Sequence, residues 1–144
     1  MAQTKVMVFG TFDGVHKGHL DFFRQARRLA RNSYLIVSIA RDKNVVKIKK
    51  RKTFHSEKER LILVKKIKLV DKVILGSLNN YLANILKEKP QIIALGYDQK
   101  VFVSELRAEI KKKKIDLKIV RLKPYKQNIY KNSLLHILQT KGNK

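Results

Sequence analysis

The fold is decided by residues 10–19, which read GTFDGVHKGH and directly follow the apolar run Lys5–Phe9. That run is typical of a buried strand, and a helical stripe of apolar residues begins at Leu20. Between them, Gly10 and Gly14 allow the backbone to approach a ligand closely or to adopt unusual dihedral angles. The spacing matches neither the GxxxxGK(S/T) phosphate loop nor the GxGxxG fingerprint. We therefore expect a strand–turn–helix unit whose turn binds a ligand in another way.

Two histidines end this stretch, His16 and His19, three positions apart at the start of the predicted helix. Both rings can therefore project from one face, and Gly18 between them leaves room for a bound phosphate. The helix N-terminus adds N–H donors and a partial positive charge, which suits a phosphate that gains charge in a displacement. Two alternatives remain open: Asp13, His16 and His19 could bind zinc or iron, or the histidines could be ordinary polar residues of a turn.

Outward from this stretch, short β-branched runs alternate with longer stripes at helical spacing. Strands are predicted at Lys5–Phe9, Tyr34–Ala40, Lys72–Leu75, Gln91–Leu95 and Leu117–Leu122. Helices are predicted around Phe23, after a capping box at Ser56 and Glu59, over a stripe from Tyr81 to Leu86, around Leu106, and at Asn132–Gln139. This alternation predicts a parallel sheet with helices on both faces, whose ligands bind beyond the carboxyl ends of the strands.

Composition limits the classes of protein that the chain can represent. It has 144 residues, enough for one domain over 1–144, and no cysteine, which excludes disulfides and thiolate metal sites. No apolar run is long enough to span a bilayer or to serve as a signal peptide, so a cytoplasmic protein is expected. The 34 Lys and Arg residues against 11 Asp and Glu give a net charge of +23, which favours an anionic partner or reflects a lysine-rich proteome.

Residues 10–13 (GTFD) and 16–19 (HKGH) closely resemble the HxGH signature of the cytidylyltransferase-like nucleotidyltransferases. Three further segments, residues 40–42, 70–77 and 95–99, resemble most closely the archaeal-type FAD synthases, which are FMN adenylyltransferases. The glycerol-3-phosphate cytidylyltransferases share the same frame. The resemblance implies a Rossmann-like, doubly wound α/β fold with a five-stranded parallel sheet of order 3-2-1-4-5, usually in a homodimer.

The chain departs from the cytidylyltransferase pattern near its C-terminus. The family motif RTxGISTT corresponds here to residues 123–133, KPYKQNIYKNS. A hydroxyl is kept at Ser133, but Asn132 replaces the first serine of the pair that FAD synthase relatives carry. This departure weakens the cytidylyltransferase interpretation more than the FAD synthase interpretation.

The resemblance implies a set of site residues. The catalytic candidates are His16, His19, Lys49 and Arg51, of which the last two match positions that hold phosphates. The nucleotide-binding candidates are Gly10, Thr11, Phe12, Asp13, Gly18, Arg60, Gly96, Asp98, Lys131 and Ser133. No residue is assigned to a resident metal, although Asp13 could orient Mg²⁺ or a substrate, or hold the turn together.

Several candidates beyond the histidines have a simpler alternative. The stretch Lys43–Lys52 could be a solvated, flexible basic loop, and Arg60 could be an exposed surface residue. Asp98 could cap a helix that begins at Gln99. His55 is isolated in the sequence, and we assign it no function.

The expected activity is Mg²⁺-dependent adenylyl transfer from ATP to FMN, which gives FAD and pyrophosphate. A second transferase of the same fold would use CTP and glycerol 3-phosphate or make a related CDP- or ADP-linked product. A nucleic-acid-binding module would explain the charge, but it would leave the glycine–histidine turn unexplained, and no nucleic-acid motif is present. No membrane partner is expected.

Overall fold

The computed structural model describes residues 2–77, 81–99 and 103–125. Within these ranges the strands are β1 (Thr4–Gly10), β2 (Ser33–Ile39), β3 (Lys72–Leu75), β4 (Ile92–Leu95) and β5 (Lys118–Arg121). The helices are α1 (Lys17–Arg27), α2 (Asp42–Lys49), α3 (Glu57–Lys65), α4 (Tyr81–Glu88) and α5 (Val103–Lys113). No helix of the described residues is long and apolar enough to cross a membrane.

All five strands are parallel and lie in the order β3-β2-β1-β4-β5. This confirms the predicted α/β fold and strand order. β1 is central, with β2 on one side and β4 on the other, so the strand order reverses at β1. At the carboxyl edge Gly10 lies opposite Ile39. The loop after β1 therefore lies between the segments that follow β2 and β4, where this fold binds ligands.

Two hydrophobic clusters cover the two faces of the sheet. Val6 packs in one cluster with Phe23 of α1 and Val64 of α3. Met7, the next residue in β1, packs in the other cluster with Leu106 of α5. Because successive strand residues point to opposite faces, the continuous apolar run in β1 is what buries the sheet on both sides.

The structure differs from the sequence-based expectations in three of its elements. Residues 42–49 form α2, where we expected a basic loop, and the helix ends at Lys50 in the left-handed conformation (φ 60°). Leu86 was placed on the inner stripe of α4 but is 40% exposed. Gln99 is not helical, so Asp98 does not cap a helix there. The predicted helix Asn132–Gln139 lies outside the described residues.

The amino edge of the sheet is held together by ion pairs. Arg27 Nη1 donates to Asp71 Oδ2 at 2.6 Å, and the same carboxylate oxygen accepts from the Leu35 N–H at 2.8 Å. Lys72 Nζ donates to Glu88 Oε1 at 2.8 Å, where Glu88 is buried. These contacts join α1, β2, β3 and α4 at the end of the sheet opposite the loop after β1.

Candidate active site

A cavity of about 640 Å³ opens at the carboxyl edge of the sheet. Its central part is formed by residues between Phe9 and Phe22, which belong to the end of β1, the β1–α1 loop and the first two turns of α1. The β2 wall, as we call the residues that follow β2, comprises Val45, Lys49 and residues 51–54. The β4 wall comprises residues 96–99, which follow β4, and residues 123–125, which follow β5.

His16 and His19 cap the amino end of α1 and each other. His16 Nδ1 accepts the Gly18 N–H at 3.0 Å, and His19 Nδ1 accepts the His16 N–H at 3.2 Å. The two rings stack with centroids 3.9 Å apart and planes 24° apart. This is a capping box built from two imidazoles, so the same contacts that start the helix also fix both rings.

These contacts also define the tautomers. A ring nitrogen that accepts a hydrogen bond carries no proton, so the proton of each neutral ring sits on Nε2. Burial, together with the neighbouring His16 and Lys49, lowers the pKa of His19 from 6.5 to about 4. His19 is therefore neutral at pH 7. Both histidines line the cavity, and in this tautomer the N–H donor of each ring is at Nε2.

Phe12 packs against His19 through its ring. It is buried, and its ring meets His19 edge-on with centroids 5.2 Å apart. To reach this position Phe12 adopts φ 54°, a left-handed conformation that costs about 1 kcal/mol for a non-glycine residue. Gly10 is required by the same ring, because a Cβ there would lie 2.6 Å from its atoms. Gly10 leaves the space that the Phe12 ring occupies, and the Phe12 ring in turn packs against His19.

Asp13 connects the β1–α1 loop to the β2 wall. Its Oδ2 accepts the Phe54 N–H at 2.7 Å, and its Oδ1 accepts the His55 N–H at 2.9 Å. The His55 Nδ1 lies 3.0 Å from the same Oδ1. Burial raises the pKa of Asp13, but these hydrogen bonds outweigh it and hold the pKa below 3.8. Asp13 is thus an ionised tether, which joins two segments rather than closing its own turn.

Arg60 performs a second tethering role and is wholly buried. Its Nη1 donates to the Thr11 carbonyl at 2.8 Å, its Nε to the His55 carbonyl at 3.2 Å, and its Nη2 to Asp42 Oδ1 at 2.7 Å. The alternative of an exposed surface arginine is therefore wrong. Arg60 does not line the cavity, and its hydrogen bonds tie the binding loops together. A contact of Arg60 with the nucleotide stays a prediction.

The basic residues of the β2 wall are arranged differently. Lys49 ends α2, and Arg51 and Lys52 follow it; all three are exposed and line the cavity. Lys49 lies close enough to His19 to help lower the pKa of that ring. Because Lys49 is the last residue of a helix, its positive charge has a defined position near the histidine pair. A flexible loop would not fix that position.

The β4 wall is shaped by Gln99. Its Nε2 donates to the Phe9 carbonyl at 2.8 Å, and its Oε1 accepts the Gly96 N–H at 2.7 Å. Arg121 Nη1 donates to the carbonyls of Gly96 and Gln99 at 2.8 and 2.6 Å. The turn that carries Tyr97 and Asp98 is thereby fixed against β1 and β5, and both residues are exposed on the cavity.

Most of the predicted site residues meet at this cavity. The structure brings together Gly10, Thr11, Phe12, Asp13, His16, Gly18, His19, Lys49, Arg51, Gly96 and Asp98. Lys131 and Ser133 lie outside the described residues. The sequence analysis missed His55, which pairs with Asp13, and the cavity-lining residues Lys52 and Phe54.

The metal-site alternative finds no support in the described part of the chain. No group of three or more His, Asp or Glu side chains there could hold a metal ion. The Nδ1 atoms of His16 and His19 accept backbone N–H groups, and the Asp13 carboxylate faces Phe54 and His55. The pattern is that of phosphate-facing donors beside a helix N-terminus.

The chain belongs to the cytidylyltransferase-like family, whose model matches residues 7–138. It is an enzyme of the nucleotidyltransferase class.

Among curated relatives, the chain is 45% identical over 123 residues to an FAD synthase of Methanothermus fervidus, covering 85% of this chain and 84% of that one. It is 44% identical over 119 residues to an FAD synthase of Korarchaeum cryptofilum, covering 82% and 80%. Among solved structures, it is similar to a lipopolysaccharide core biosynthesis protein of Thermoplasma volcanium, with a TM-score of 0.78 and 35% identity over 86% of this chain and 99% of that one.

Proposed function

We propose that the enzyme transfers the adenylyl group of ATP to FMN, which forms FAD and pyrophosphate. The observation that carries this proposal is the histidine pair: two imidazoles fixed by their Nδ1 atoms at the start of α1, at the centre of a cavity with a basic wall. The names of the archaeal relatives support the choice of substrates.

In the proposed reaction a phosphate oxygen of FMN attacks the α-phosphorus of ATP in line with the departing pyrophosphate. The new O–P bond forms as the bond between the α-phosphorus and the bridging oxygen breaks, and pyrophosphate carries away the electron pair. The attacking oxygen is already anionic, so no general base is required. Catalysis then consists of positioning the two phosphates and stabilising the charge that develops on them.

The Nε2–H donors of His16 and His19 would stabilise the α-phosphate and the bridging oxygen. The neutral state of His19 is an advantage, because a donor fixed before the reaction needs no reorganisation when charge develops. Lys49 and Arg51 would hold the approaching phosphates, whose mutual repulsion must be overcome. Gly96 and Asp98 on the β4 wall are proposed nucleotide contacts, and Lys131 and Ser133 remain predicted contacts of the β/γ end.

Magnesium fits this site as a companion of the nucleotide. It prefers oxygen ligands and retains water, and the cavity offers the carboxylates of Asp21 and Asp98 beside the space for a triphosphate. When bound, Mg²⁺ would neutralise charge on the triphosphate. The carboxylate of Asp13 is already used by Phe54 and His55. A homodimer and a cytoplasmic location remain predictions from the family resemblance and the sequence.

The test is a matrix of ATP and CTP against FMN and glycerol 3-phosphate, with Mg²⁺ and pyrophosphate release as the readout. ATP with FMN should give FAD, and CTP should be used at least about tenfold less well in kcat/KM, because a wrong base leaves hydrogen-bonding groups unpaired. ATP should also raise the thermal midpoint more than CTP. Reaction of CTP with glycerol 3-phosphate, but not of ATP with FMN, would overturn the named activity and leave the fold intact.

The nucleic-acid alternative is tested with the same preparation. A nucleic-acid-binding module with this charge should bind DNA or RNA with a steep dependence on salt concentration. For the enzyme proposed here, nucleotidyl transfer should be unaffected by added duplex DNA at physiological ionic strength.

A further inference from the structure

Phe54 is the most exposed of the large hydrophobic residues that the structure describes, at 92%, and it lines the cavity. A single exposed apolar residue is common on protein surfaces and by itself indicates nothing. Of the exposed large hydrophobic residues, Phe54 and Tyr97 line the cavity, Phe54 on the β2 wall and Tyr97 on the β4 wall. Ile62 and Leu63 lie on α3 and Leu86 lies on α4, and none of them lines the cavity.

The position of Phe54 is fixed relative to the histidine pair. Its N–H donates to Asp13 Oδ2 at 2.7 Å, and Asp13 belongs to the same loop as His16. The following residue, His55, is held twice: by Asp13 through its N–H and by Arg60 through its carbonyl. An exposed ring on a backbone held this firmly is available for binding without the ordering cost that a flexible loop would have.

The two walls of the cavity offer places for two different substrates. The β2 wall and the β4 wall lie on opposite sides of the histidine pair, because β1 separates β2 from β4 in the sheet. In the in-line displacement the attacking oxygen and the departing pyrophosphate lie on opposite sides of the α-phosphorus, so the acceptor needs a part of the cavity that the nucleotide does not fill. With the nucleotide on the β4 wall, where Gly96 and Asp98 lie, the acceptor occupies the β2 wall.

We propose that Phe54 binds the ring of the acceptor by stacking and makes the enzyme prefer phosphorylated acceptors that carry a planar aromatic ring. This inference rests on the proposed function. On the β2 wall, Lys49, Arg51 and Lys52 supply positive charge for a phosphate, and Phe54 follows them with an apolar face. FMN has both a phosphate and a planar ring system, whereas glycerol 3-phosphate has only the phosphate.

The experiment compares Phe54→Ala, Phe54→Leu and Phe54→Tyr with the unaltered enzyme. At saturating ATP, the KM for FMN should rise about tenfold in Phe54→Ala, because stacking of a planar ring on an aromatic side chain contributes roughly that factor. Phe54→Leu should also be impaired, since it keeps apolar area but lacks the ring, and Phe54→Tyr should restore the KM. The KM for ATP and the thermal midpoint should be unchanged.

Ile62→Ala is the matched control, because it removes an exposed apolar side chain outside the cavity. A binding measurement separates affinity from turnover: the fluorescence anisotropy of FMN, titrated with each variant in the presence of α,β-methylene ATP, should show the same loss of affinity in Phe54→Ala.

The outcomes are distinguishable. If the unaltered enzyme forms no FAD from ATP and FMN, the proposed function fails, and this inference fails with it. If it forms FAD and Phe54→Ala keeps the normal KM and affinity for FMN, only the role of Phe54 is overturned. A rise in the KM for ATP with no change for FMN would show that Phe54 binds the adenine ring, which also overturns the inference.

Discussion

The histidine loop, residues 10–19, and the basic segment, residues 49–52, border the same cavity but are held in opposite ways. In the histidine loop, both Nδ1 atoms accept backbone N–H groups, and Asp13 and Thr11 are tied to α3 and the segment before it. In the basic segment, no described residue forms a side-chain hydrogen bond or ion pair with Lys49 or Arg51, and both are exposed.

This difference separates two contributions to phosphate chemistry. Donors that are fixed in place act on charge that develops in the transition state, so their loss should lower kcat. Exposed cations attract any phosphorylated ligand, and the intervening water and salt screen that attraction. Their loss should therefore raise KM, and the size of this rise should depend on ionic strength. The comparison therefore predicts different kinetic signatures for two regions that both supply N–H donors to the cavity.

The largest effect is expected at the histidine pair. His16→Ala and His19→Ala should each lower kcat by about a hundredfold or more, which is typical for loss of one fixed donor to a developing charge. The measurement is steady-state FAD formation at saturating ATP and FMN.

His16→Asn provides the control for helix capping, because asparagine also accepts a backbone N–H at an N-cap position. It should keep the thermal midpoint near that of the unaltered enzyme and still lose kcat. Recovery of normal turnover in His16→Asn would assign His16 a purely structural role, and the comparison between the two regions would fail.

The second effect concerns the tether that holds the loops. Arg60→Met should lower the free energy of unfolding by about 2 kcal/mol, because it removes the donor to the Thr11 carbonyl and the cationic partner of Asp42. Urea unfolding measures this loss. Lys58→Met is the matched control, an exposed residue on the same helix, and should change stability by less than about 0.5 kcal/mol. Equal stability of both variants would contradict the tethering role of Arg60.

The third effect is a pH dependence of stability at His19. Its pKa of about 4 in the folded chain lies below 6.5, so as pH falls the unfolded chain takes up the proton first. This contribution to stability is complete above pH 6.5 and is lost as pH falls from 6.5 to about 4. Between pH 7 and pH 5 the free energy of unfolding should fall by about 1 kcal/mol from this group, a value that is reduced for partial solvation of the ring.

His19→Gln removes the titrating group and should flatten the dependence of the unfolding free energy on pH relative to the unaltered enzyme. Urea titrations of both proteins at pH 7 and pH 5 are sufficient. Parallel losses of stability in the two proteins would mean that His19 titrates normally and is not the fixed neutral donor described above.

The smallest effect is expected in the basic segment. Lys49→Ala and Arg51→Ala should each raise the KM for phosphorylated substrates severalfold at low salt, and the difference should shrink with added salt, since screening acts over about 8 Å at physiological ionic strength. Lys47→Ala, an exposed lysine of α2 that does not line the cavity, is the control. A salt-independent loss of kcat would place these residues with the histidines instead.

The sheet and the histidine turn could be predicted from sequence because each rests on a local pattern. The parallel strands follow from apolar runs such as Lys5–Phe9, and the capping box at Ser56 and Glu59 is confirmed with both reciprocal hydrogen bonds. The order of the strands came from the family resemblance, and the structure confirms it.

The features that escaped prediction depend on contacts between distant residues. Helix α2 was missed because its charged residues obscure a short apolar face, of which Val45 is buried. Asp13 and His55 are 42 positions apart, so their pairing has no sequence signal. Arg60 has the composition of a surface residue, and only the positions of Thr11 and Asp42 in the folded chain show why it is buried.

The ion pairs at the amino edge of the sheet allow stability and substrate use to evolve independently. Arg27, Asp71, Lys72 and Glu88 join the elements at that edge, and none of them lines the cavity. Mutations that tighten or loosen this edge can therefore shift thermal tolerance while the chemistry at the opposite edge is preserved. Adaptation to a new growth temperature and adaptation to a new substrate can proceed at opposite edges of the same sheet.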